Sequence, residues 1–174
     1  CLSGDYIMMN LLSELGPIDP QMPVLQPNNE IRYSPAHLII QQFETLLQTI
    51  ISQKELAKHL APYLQIYFPS LLQEGHNAIE LSKTIAYKLL KNYMFYGRID
   101  KDERAENIAK NLSAFGEYLS HVRNINIKEA KKIGINVIDL TNQNKLNDIV
   151  ISIYFAIRET FNRNQNIAKI CENH

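Results

Sequence analysis

The chain has 174 residues, 45% of them hydrophobic and 21% charged, which suits one globular domain with a core of useful size. Lysine plus arginine and aspartate plus glutamate number 18 each, so the formal net charge is zero and the basic excess of a nucleic-acid-binding protein is missing. The two cysteines, Cys1 and Cys171, stand at opposite ends and make no disulfide framework, which points to a reducing, cytoplasmic setting.

No basic segment precedes an apolar stretch at the start, so no signal peptide is read. The longest apolar run, Ile149 to Ile157, is broken by Ser152 and falls far short of the ~20 residues that span a bilayer. Residue 1 is cysteine rather than methionine, and the natural start is therefore expected further upstream.

In chain order, Cys1 to Met9 reads as a short strand with Tyr6, Ile7, Met8 and Met9 as its apolar burst. Asn10 to Leu15 reads as a turn or short helix ending at Gly16. Residues 16–35 hold Pro17, Pro20, Pro23, Pro27 and Pro35, and so read as an extended arm without regular helix. Val24 and Leu25 suit a short edge strand within it. Ser34 and Pro35 then predict an N-cap and first helical position. Behind them Ile39, Phe43, Leu46, Leu47 and Ile50 form one apolar stripe.

A second helix is expected over Lys54 to Phe68, bent or split at Pro62. Pro69 and Gly75 punctuate the next stretch. Ile79 to Met94 reads as a third helix, ended by Gly97. Asp100 with Glu103 resembles a capping box ahead of a helix carrying Ala105, Ile108, Ala109, Leu112 and Phe115. Lys128 to Lys132 reads as a short helix stopped by Gly134, and Ile135 to Asp139 as a short strand. The last helix is expected over Leu146 to Phe161. Its apolar residues spread over two faces, which suggests burial on two sides or an oligomer contact. Only two or three short strands are read, two of them far apart, and an isolated pair is marginal in water. The other half of the sheet is therefore expected elsewhere.

Two stretches carry a resemblance. The run Ser13-Glu14-Leu15-Gly16-Pro17-Ile18-Asp19-Pro20-Gln21 resembles a signature of the ClpP-class serine peptidases, in the branch of the serine dehydrogenase proteinases. The residues ahead of it, Ser3-Gly4-Asp5-Tyr6-Ile7-Met8-Met9, resemble the strand that in this class follows the helix opened by the nucleophile. The second stretch is Ser120-His121-Val122-Arg123, then Glu129-Ala130, Gly134-Ile135 and Val137-Ile138-Asp139. It is similar to the common end of ClpP and crotonase-type domains.

The resemblance implies an α/β fold, the C-terminal part of a ClpP/crotonase-like domain, mostly helical with two or three short strands. It implies a serine nucleophile upstream of Cys1, at a helix start whose N–H groups favour an oxyanion. It also implies a missing N-terminal half of the domain and assembly into a homo-oligomer.

The sequence departs from the family at the base. The place of the ClpP histidine falls near Asn10, and the place where relatives draw a lysine falls near Ala36 and His37. His37 and His121 are therefore the candidate bases, since histidine titrates near neutrality. Each also has a bland reading, a packed surface histidine for His37 and a structural hydrogen bond for His121. Ser13 lacks a nucleophile-elbow setting and reads as a turn or cap residue. Gly16, Pro17, Ile18, Asp19 and Gln21 are candidate contacts to an extended peptide, with an Asx-type turn the alternative for Asp19. Arg123 is expected in an ion pair with Glu129 or a neighbour. No histidine and carboxylate group has metal-ligand spacing, so no metal and no cofactor is expected.

The expected function is part of a serine hydrolase cleaving peptide bonds of peptide or protein substrates through an acyl-enzyme, silent in this chain alone. The alternative is a non-catalytic assembly or partner-binding module of the same fold. A crotonase-type acyl-CoA enzyme is a third reading, opposed by the proline-rich signature. Nucleic-acid and membrane partners are not expected.

Overall fold

The computed structural model describes residues 1–25, 28–67, 69–114 and 124–164. The described chain is mixed α/β and mostly helical, with a few short strands. Strand β1 (Ile7–Met9) leads to a hairpin of β2 (Gln21–Leu25) and β3 (Ile31–Pro35). Helices α1 (Ala36–Ser52), α2 (Lys54–Leu60) and α3 (Pro69–Leu89) follow, then α4 (Lys101–Ala114) and α5 (Ile127–Lys132). Strand β4 (Val137–Asp139) and helix α6 (Asn144–Arg163) end the described chain.

Strands β1 and β4 pair in parallel, Ile7 with Val137, Met8 with Ile138 and Met9 with Asp139. Ile7 and Met9 point into the core while Met8 is 54% exposed. Most of the described residues between these strands are helical, and parallel pairing needs such a long crossover connection. Behind them lies the main core. Ala105, Ile108, Ala109 and Leu112 recur at helical spacing along α4 and meet Ile125, Ile127 and Ala130. Leu90, Met94 and Phe95 fill its centre from a π-helical turn (Leu90–Met94) that closes α3, where Phe95 N–H donates to the Leu90 carbonyl at 2.9 Å. Gly97 and Gly134 adopt positive φ just past their helices, a backbone that glycine takes without a Cβ clash.

A second, smaller core joins Met22, Ala36, Ile39 and Leu71 beneath the hairpin. Here α1 crosses α3 at Gly75. A Cβ on Gly75 would lie 3.3 Å from Ile40 Cδ1 and 3.5 Å from Met22 Sδ. That close approach explains a glycine inside a helix.

Several boundaries differ from the sequence reading. Residues 1–6 form turns, so β1 is shorter than the expected strand. The proline-rich arm contains a full hairpin rather than one short edge strand. Ser34 is therefore the ladder partner of Met22, and Pro35 takes the N-cap position of α1 without a side-chain cap bond. Helix α3 starts at Pro69, ten residues before the expected Ile79, because Gly75 serves helix crossing rather than a break. Pro62 does split the second helix, into α2 and a 3-10 segment over Ala61–Ile66. The Asp100 carboxylate faces Arg98 Nε at 3.2 Å and Arg104 at 3.7 Å. A reciprocal capping box stands at Asn126 and Glu129, ahead of α5.

Candidate functional site

The Ser13–Gln21 run is tied down at several points. Leu15 and Ile125 exchange backbone hydrogen bonds of 3.0 and 2.8 Å. Ile18 N–H donates to the Leu112 carbonyl at 3.1 Å, at the end of α4. Glu14 accepts a hydrogen bond from the Asn124 amide. The run therefore crosses from the main core to the smaller one, and Gly16 to Pro20 form no strand of their own.

At its far end Asp19 meets His37. His37 Nδ1 lies 3.1 Å from Asp19 Oδ1, and each side chain is only 13% exposed. The hairpin register brings them together. Gln21 pairs with Pro35, and the Ala36 N–H donates to the Pro20 carbonyl at 2.9 Å. Asp19 and His37 each stand two residues beyond the Gln21–Pro35 pair, so the same register faces them across the open end. Gln21 Nε2 then donates to Asp19 Oδ2 at 2.9 Å. The carboxylate is held by the glutamine on one oxygen and addresses the imidazole with the other. A carboxylate this close to Nδ1 can orient a histidine ring. Nε2 is itself buried.

Asp19 and Gln21 also line a cavity of about 690 Å³ under the hairpin. Val24, Leu38, Ile39, Tyr67 and Leu71 give it apolar walls, with Arg32 at its edge. Of the other expected site residues, Gly16, Pro17 and Ile18 lie outside this cavity lining, Ile18 packing on the main core. His121 and Arg123 fall outside the described residues. Asn10 is a buried turn residue, its Oδ1 accepting from Leu12 N–H at 2.9 Å. Ser13 closes that turn, its Oγ accepting from Asn10 N–H at 3.0 Å.

Elsewhere, Tyr87 OH donates to Asp102 at 2.5 Å and Lys91 Nζ lies 2.5 Å from the same carboxylate. The hydrogen bond to Asp102 is the main reason the Lys91 pKa stands above its ordinary value, and the same bond from Lys91 holds Asp102 below its own. A lysine kept charged in this way is a structural cation rather than a nucleophile. Among the described residues, no group of three or more His, Cys, Asp or Glu is placed to hold a metal ion, and no helix is long and apolar enough to cross a membrane.

Compared with known proteins, the chain matches no family model, no curated protein and no solved structure. The pairing of Asp19 with His37 was not read from the sequence, which gave them separate roles. The signal that could have found it is the symmetry of a hairpin centred near residue 28, which places residue 19 opposite residue 37.

Proposed function

We propose that this chain is part of a ClpP-class serine hydrolase with a ClpP/crotonase-like fold, and that Asp19 and His37 are its acid–base pair. The observation that carries the reading is the 3.1 Å contact between His37 Nδ1 and Asp19 Oδ1 at the end of the signature run. Asp19 holds the imidazole with its proton on Nδ1. His37 Nε2 takes the proton of a serine hydroxyl as that oxygen bonds to the substrate carbonyl carbon. The same proton passes to the leaving amine as the C–N bond breaks. Water then adds to the acyl-enzyme by the reverse relay and releases the acid. The serine is supplied by polypeptide upstream of Cys1.

The peptide lies along the hairpin rim, with one side chain in the cavity bounded by Val24, Leu38 and Leu71. The two-stranded β1–β4 pair supports a larger sheet. Parallel sheets are ordinarily covered on both faces, whereas Tyr6 and Met8 are 61% and 54% exposed.

The test is peptide hydrolysis by the protein extended to include that upstream polypeptide. His37→Gln is expected to lower kcat by about 10²–10⁴-fold. Asp19→Asn is expected to lower it while leaving KM within a few-fold. Unchanged turnover in both variants would overturn the assignment.

A second reading is favoured by the burial of His37 Nε2. In it the pair is a clamp holding the arm to α1, and the domain is a non-catalytic assembly or partner-binding module. That reading expects both substitutions to lower stability, in an extended protein without peptidase activity.

A further inference from the structure

The outer face of α6 is a self-complementary surface, and we infer that it pairs antiparallel with α6 of a second copy of this chain. The inference stands independently of the hydrolase reading.

Helix α6 carries two apolar faces. Val150, Ile151, Tyr154, Phe155 and Arg158 line, with Met8 and Leu12, an open cavity of about 660 Å³ beside the turn after β1, where Tyr154 and Phe155 remain 57% and 54% exposed. At 100° per residue, Leu146, Ile149, Ile153, Ala156 and Thr160 fall on a separate stripe, centred well over a quarter-turn away. On that stripe Ile149 and Ile153 are 56% and 54% exposed. Its spacing alternates three and four residues, which is the a/d seam of a two-helix coiled coil rather than scattered surface.

Charge selects the partner and its direction. In the heptad set by this seam, Lys145, Ser152 and Glu159 occupy the flanking g positions. An antiparallel pair stacks Leu146 on Ala156 and Ile149 on Ile153 of the other copy. That register also sets Lys145 against Glu159 twice, once at each end, with the two Ser152 residues at the symmetry axis. The Ser152 hydroxyl already donates to the Asp148 carbonyl at 2.7 Å, so the axis is crossed by a small, satisfied side chain. A parallel pair would instead set each g position against an e position of the other copy, Lys145 beside Val150 and Ser152 beside Ile157, and would form no charge pair along the seam. Glu159 also meets Arg163 on its own helix at 2.8 Å, with both side chains exposed and open to a further partner. The seam from Leu146 to Thr160 is about 22 Å long at 1.5 Å per residue, enough for a modest, concentration-dependent dimer.

The test is sedimentation velocity of the full chain over a range of concentrations, with variants. The expected result is a monomer–dimer equilibrium that Ile153→Glu abolishes while circular dichroism keeps its helical signal. Lys145→Glu and Glu159→Lys alone are each expected to weaken the dimer about tenfold at low salt, and the double charge reversal to restore it. Rescue by the double variant separates this pairing from a folding defect and from any other occupant of the face. A chain that stays monomeric at high concentration would overturn the inference. So would a dimer indifferent to Ile153→Glu, or single reversals that the double variant fails to rescue.

Discussion

Asn10 and Asn147 join the turn after β1 to the first turn of α6, with Asn10 Nδ2 donating to Asn147 Oδ1 over 3.0 Å. Asn10 is 7% exposed, and its Oδ1 also accepts from the Leu12 N–H and the Ser13 hydroxyl. One amide thus fixes a tight turn and the base of the last helix. Asn10→Ala strips partners from several groups at once and is expected to cost about 1–3 kcal/mol in urea unfolding. Asn10→Asp keeps the acceptor for the turn and loses the donor to α6, so amide exchange should rise in α6 before it rises in β1. A loss below about 0.5 kcal/mol for the alanine variant would contradict this role.

Asp139 gives the fold an acid-sensitive joint between β4 and α5. Lys131 Nζ lies 2.7 Å from its Oδ2, and the Thr141 N–H donates to Oδ1 at 3.1 Å. These bonds, the lysine's foremost, hold the Asp139 carboxyl at about 2, below its ordinary 3.8. A carboxylate whose folded pKa is depressed stabilises above its unfolded pKa, and that contribution fades as pH falls through the folded value. The expected loss therefore lies between about pH 4 and pH 2. Carbon-13 titration should place the Asp139 midpoint near the low end of that window, and Asp139→Asn should flatten the stability profile across it. A midpoint near 4 would contradict the joint.

Gly75 tests the helix crossing. Gly75→Ala gains roughly 1 kcal/mol of helix propensity but presses on the ends of two flexible side chains, Ile40 and Met22. The two effects should nearly cancel, leaving Tm within a few degrees of the parent. Gly75→Leu must displace the α1–α3 contact and is expected to cost about 1–3 kcal/mol. A tolerated leucine would mean the helices do not approach here.

The Asn126 capping box is worth a separate check. The Asn126 side chain accepts from the Lys128 and Glu129 N–H groups at 2.9 and 3.1 Å, and Glu129 Oε2 accepts from the Asn126 N–H at 3.2 Å. Asn126→Ala is expected to cost about 1 kcal/mol, and Asn126→Ser most of that less. Chemical denaturation measures both.

The helices were legible because their stripes are long and regular. The α4 stripe of Ala105, Ile108, Ala109 and Leu112 is the observed core line, and Gly97 and Gly134 stop helices as read. Strand β3 was missed because Ile31 to Pro35 has three exposed residues and owes its extended form to the ladder with β2 rather than to burial. Gly75 looked like a break because its reason, a neighbouring helix, is remote in sequence. His37 and Asp19 were both singled out, one as base and one as peptide contact. Their meeting depends on hairpin register, which a stretch rich in proline and asparagine does not announce.

On the proposed mechanism, Asp19 and His37 serve a serine carried by polypeptide upstream of Cys1. Its most direct test is fluorophosphonate labelling of the protein extended to include that polypeptide, followed by mapping of the modified peptide by mass spectrometry. The expected result is one modified serine ahead of Cys1, labelled far more slowly in the His37→Gln variant, and no modified serine between Cys1 and His174. A modified serine inside that span, or a labelling rate indifferent to His37, would contradict it.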